Sequence, residues 1–133
     1  MITEKGYSKD PSIMPEAIAV TFGREMMNEQ GGPKQFLEYF NEIMADPDSH
    51  WMHKMKNKPT HEFDIVYIIV LNRLYGKCYF GGFENRSTKG YTADGRVKDI
   101  DWSRMILAGP LERCPFKRTI KGFQGFRYTT KLF

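Results

Sequence analysis

The chain has 133 residues, of which 41% are hydrophobic, 14% aromatic and 27% charged, with a formal net charge of +4. That length suits one compact core and is short for two, and the composition excludes a chain disordered throughout. No run of about eighteen apolar residues is present to cross a bilayer as a helix.

The opening MITEKGYSKDPS lacks the basic region and apolar run of a secretory signal. A cytoplasmic protein with no membrane association is therefore expected, with Cys78 and Cys114 as buried reduced thiols. In chain order, MPEAIAVTFGREMMNEQGG predicts a first helix: Pro15 suits a first turn, Ile18, Phe22 and Met26 recur every four residues, and Gly31–Gly32 supplies the stop. PKQFLEYFNEIMADP predicts a second, with Phe36, Leu37, Phe40, Ile43 and Met44 on one stripe and Pro47 ending it. A third short helix is expected through DSHWMHKMKNK, where Trp51 and Met55 stand one turn apart behind a cap at Asp48 or Ser49.

After Pro59 the period changes. EFDIVYIIVL, dense in β-branched residues of both parities, predicts a strand buried on both faces. NRLYG predicts a turn with Gly76 at positive φ, and KCYFGGFE a returning strand in which Gly81–Gly82 permits a bulge. Residues 85–101, NRSTKGYTADGRVKDID, carry turn signals and few apolar anchors, and predict a long exposed loop that would serve as a lid in an enzyme. Met105–Ala108 reads as a strand broken at Gly109–Pro110, and FRYTTKLF as the closing strand.

Charge is unevenly divided. Residues 1–61 hold seven Lys/Arg against nine Asp/Glu, and residues 62–133 hold thirteen against seven. From Ser103 onward seven cations face one acid, Glu112, which raises anion affinity there whatever the fold. His50 and His53 lack the further ligands a zinc site needs, and neither a nucleophile elbow nor a phosphate loop ending in Lys-Ser/Thr occurs, so no metal, cofactor or catalytic residue is assigned.

The closing third combines planes, charge and an amide. Trp102, Phe116, Phe123, Phe126 and Tyr128 offer rings, Arg104, Arg113, Lys117, Arg118, Lys121 and Arg127 offer charge, and Gln124 lies between two glycines. Those are the groups that hold an unstacked base and its phosphates. Because Phe126 and Tyr128 alternate with Arg127, the rings either line such a pocket or turn into the core with the guanidinium outward.

The stretches DIVYIIVLNRLYGKCYFGGFE and WSRMILAGPLERCPF resemble the small PUA-like barrels of the EVE and ASCH type, over residues 62–128. The resemblance implies a partly closed barrel binding RNA or modified DNA bases. The expected fold is accordingly a single α+β domain, residues 1–133: a helical part at 1–61 packed on a mostly antiparallel, PUA-like, partly closed β-barrel at 62–133. The expected function is a non-catalytic nucleic-acid-binding module. The alternative is a small phage or mobile-element protein that inhibits or modulates a host protein or nucleoprotein complex through its arginine and aromatic surface.

Overall fold

The computed structural model describes residues 17–55, 57–91 and 93–133, without the side chains of 85–91 and 98–102. Its elements are β1 (Ala17–Thr21), α1 (Arg24–Glu29), α2 (Pro33–Met44), β2 (His50–Met55), β3 (Ile65–Val70), β4 (Arg73–Tyr91), β5 (Val97–Arg113) and β6 (Phe126–Thr129). The six strands form one sheet in the order β2-β5-β4-β3-β1-β6. β1 runs parallel to β3, and every other pair is antiparallel.

The expected barrel packed by helices does not form. The sheet's edge strands β2 and β6 are not hydrogen-bonded to each other, only two short helices are present among the described residues, and the first sixty residues contribute two of the six strands. The predicted first helix is β1 followed by the short α1, with Pro15 outside the described residues. Ile18 and Phe22 recur every four residues, but four is a multiple of two, so Ile18 and Val20 also alternate along a strand and Phe22 continues their facing. Parallel pairing of Ala17–Thr21 with Ile65–Ile69 decides the choice.

The predicted third helix fails for the same reason. Trp51 and Met55 share a strand face with His53, and His50–Met55 pairs along Ala108–Ser103 of β5. The predicted loop at 85–101 is not one: β4 and β5 stay in register from Asn85↔Ser103 to Tyr91↔Val97, so residues 85–91 and 97–101 are the two strands of a β-hairpin arm. Its turn falls at Asp94–Gly95, where Gly95 has φ 84°.

The sheet carries two apolar layers. On one face Ile18, Val20, Val66, Ile68, Met105 and Leu107 pack against Met27 of α1 and Phe36, Phe40 and Met44 of α2. Phe36 and Phe40 stack at 5.9 Å and both meet Phe22 edge-on. On the other face Ala17, Ala19, Tyr67, Ile69 and Leu74 are covered by Ile120 and Leu132 of the closing segment. β3 thus lies buried on both sides, as its composition predicts.

The sheet curls around the helix-bearing face. Phe22 follows β1 and His53 lies on β2, far apart in the strand order, yet their ring centroids are 5.6 Å apart. Register shifts at Lys77/Tyr79 and Phe80/Phe83 supply the bend in β4 and β5. Gly82 takes φ 105° within the second shift, a conformation that costs a side-chain-bearing residue. No described helix is long and apolar enough to cross a membrane.

Candidate functional site

The segment Cys114–Gly125 runs between two clefts, one beside the β3–β4 turn and one at the edge of β2. Main-chain bonds fix that segment on the outer face of the sheet: the Cys114 N–H donates to Tyr75 O at 3.0 Å, the Leu74 N–H to Arg118 O at 2.9 Å and the Ile120 N–H to Asn72 O at 3.1 Å. The Gly122 N–H donates to Asn72 Oδ1 at 2.9 Å and the Phe123 N–H to Thr21 Oγ1 at 3.2 Å. A stretch with no helix or strand of its own is thereby held like one, because its backbone groups find partners on β1, the start of β4 and the β3–β4 turn.

The first cleft, about 580 Å³, lies beside that turn. Arg73, Arg113, Lys117 and Arg118 line it together with Tyr75 and Phe116, and no carboxylate of the described residues does. Arg113 is pre-ordered there: its guanidinium lies 3.8 Å from the centre of the Tyr75 ring and its Nε donates to Tyr75 O at 3.2 Å. The Tyr75 hydroxyl in turn accepts from Asn41 Nδ2 of α2. Leu71 and Phe116, 44% and 48% exposed, put apolar surface at the rim. Glu112 is ion-paired with Lys77 at 3.2 Å and does not reach the cleft.

The second cleft, about 770 Å³, is the seam that a closed barrel would lack. One wall is the edge strand β2 from Trp51 to Met55, and the other is Thr21, Gly23 and the Phe123–Gly125 turn, with Met26 and Gln30 of the α1 region completing the lining. Trp51 is held by the edges of Phe36 and Phe40 at 5.4 and 5.6 Å. Burial pushes the His53 imidazole down to a pKa of about 4, so it is neutral near pH 7. A neutral ring presents one donor and one acceptor nitrogen.

Neither His53 nor Gln124 makes a side-chain hydrogen bond among the described residues. Every fully buried side-chain nitrogen or oxygen there does have a partner. The polar atoms of His53 therefore reach the cleft and are not sealed behind it. Arg104, in register with Lys54 across β5 and β2, and Lys54 itself add positive charge to this seam, against Glu29.

The residues singled out in the sequence are consequently divided. Arg113, Lys117 and Arg118 gather at the basic cleft, whereas Arg104, Phe123 and Gln124 gather at the seam. Lys121 is exposed on the segment joining them, and Arg127 lies over the Phe123 ring at 4.5 Å. Phe126 and Tyr128 line neither cleft. They face the helix-bearing layer, paired edge to face at 5.3 Å, and the Tyr128 hydroxyl accepts from the Thr60 N–H at 2.8 Å. Trp102 pairs with Arg86 in the hairpin arm, and its side chain lies outside the described residues.

Trp51 and His53 escape a sequence reading of the site because their segment has the spacing of a helix. Arg73 escapes it because a single cation in a turn carries no pattern. Among the described residues no group of three or more His, Cys, Asp or Glu side chains is placed to hold a metal ion. Cys78 is buried and Cys114 half-buried, and both are free thiols. No family model, curated protein or solved structure matches the chain.

Proposed function

We propose that the chain is a binding module for single-stranded nucleic acid, with the strand's phosphates held at the basic cleft and along the segment that leads from it to the seam. The observation that carries this reading is the lining of the basic cleft: four cations, two aromatic rings and no carboxylate of the described residues. Four like charges within one concavity of about 580 Å³ repel one another, and an anion spanning several of them relieves that repulsion. Guanidinium groups suit a phosphate because their planar fork donates two parallel bonds. The exposed Phe116 and Leu71 supply surface for a base, which a simple phosphate would not use.

The fixed segment also supports a strand and not a single phosphate, since it carries Lys117, Arg118 and Lys121 in succession from one cleft to the other. Fluorescence anisotropy with a short labelled oligonucleotide tests the reading. Three to four neutralised phosphates give a log–log slope of affinity against salt of roughly −2 to −3, from about −0.7 per phosphate on a single strand. A flat salt dependence removes the proposal.

A further inference from the structure

We propose that the seam cleft is a nucleobase site, in which His53 and Gln124 read the edge of one unstacked base. This deepens the proposed function and rests on it: the basic cleft holds the phosphates, with one base over Phe116 and Leu71, and the seam takes a second base that the backbone delivers.

The chemistry of the lining favours this occupant. Two opposed walls carry groups that can donate or accept without charge, His53 on β2 and Gln124 on the turn before β6, with the amides of Gln30 and Asn57 also in the lining. Neutral donors and acceptors in pairs match the edges of a base. Ring surface comes from Trp51 on the β2 wall, which is held rigid by two phenylalanines, so stacking costs little side-chain entropy. A volume of about 770 Å³ admits a base with its sugar.

The His53 ring is packed at 5.6 Å from Phe22 on its inner side and has no hydrogen-bond partner among the described residues. Its nitrogens are therefore a pre-positioned and unengaged pair of hydrogen-bonding sites. Gln124 sits between Gly122–Phe123 and Gly125, where Gly125 has φ 77°, so the turn that presents the amide depends on a left-handed residue.

Three hexamers of one labelled backbone decide the matter against the full chain at low salt: hexathymidylate, hexa-adenylate and an abasic tetrahydrofuran strand. The expected result is that the base-bearing strands bind roughly tenfold more tightly than the abasic one. Gln124→Ala, at an exposed turn position, then narrows that difference. In the 15N-labelled protein the His53 ring and Gln124 amide signals move with base-bearing strands only.

If all three strands bind alike, or if the His53 and Gln124 signals stay still while a strand binds, the seam is not a base site and the backbone reading survives. An extended peptide lying along the outer edge of β2 is the rival occupant, and it corresponds to that outcome. If no strand binds at all, both readings fall together.

Discussion

His53 and the two cysteines illustrate how burial sets chemistry one side chain at a time. Desolvation lowers the His53 pKa from 6.5 to about 4. Above pH 6.5 both folded and unfolded chains hold the ring neutral, and this group contributes no pH dependence. As pH falls from 6.5 towards 4 the unfolded chain takes up a proton that the folded chain refuses, so stability declines and the loss levels off below about 4. Its size is on the order of 2–3 kcal/mol, allowing for the ring's opening to the cleft.

Urea unfolding of the native chain and of His53→Gln at pH 7 and pH 4.5 measures it. Other groups titrate in both proteins, so the variant should lose less stability on acidification than the native chain does; equal losses would place the ring in water. The thiols give a parallel test. Burial pushes Cys78 up to about 12, which leaves almost no thiolate at neutral pH, whereas Cys114 is half-buried with its Sγ 3.2 Å from Phe116 O. An aromatic disulfide reagent should titrate one thiol per folded chain, Cys114, and the second only on unfolding.

At the scale of elements, what the sequence discloses depends on whether two periods can be told apart. α2 is legible because Phe36, Leu37, Phe40, Ile43 and Met44 include odd and even spacings that only a helix brings to one side. β3 is legible because six consecutive apolar residues leave no polar face for a helix of that length. β1 and β2 are not, since repeats of four residues satisfy a strand and a helix alike, and only pairing with distant β3 and β5 selects the strand. The cation-rich tail could be read, but not its division between two clefts, because a segment without regular structure takes its course from the strands it binds.

The β3–β4 turn is a further case. Gly76, the residue suited by composition to positive φ, is in β4, where an added Cβ would stand 2.7 Å from Glu112 O. The turn is made instead by Leu71 and Asn72 at φ 50° and 61°. Asparagine tolerates that region, but for leucine it costs about 1 kcal/mol. Leu71 is 44% exposed at the rim of the basic cleft, so little burial offsets the strain. Leu71→Asn should raise stability by about 0.5–1 kcal/mol with an unchanged denaturant slope. A decrease of more than about 1 kcal/mol would mean that the leucine's packing across the cleft outweighs its backbone strain.

Over the whole molecule, charge and topology separate what composition runs together. Residues 62–133 carry the cationic excess, yet the sheet interleaves both halves of the chain, and the long β4–β5 arm carries some of those cations far from the basic cleft. Arg96 lies just before β5 at the tip of the arm, ion-paired with Asp94 at 3.2 Å, while Arg113 ends β5 beside the cleft. The intervening strand, at about 3.3 Å per residue, is several times longer than a Debye length of about 8 Å. Lys117→Glu and Arg96→Glu therefore make the same change in net charge at positions that do not sense each other.

If binding follows from overall charge, the two variants weaken an oligonucleotide equally. If the basic cleft holds the phosphates, Lys117→Glu weakens binding roughly tenfold at low salt and flattens the log–log salt slope by about 0.7 for each phosphate that is no longer neutralised, while Arg96→Glu leaves the slope unchanged. A larger loss for Arg96→Glu would instead move the interface to the arm, whose two-stranded ribbon is also able to follow a nucleic-acid backbone.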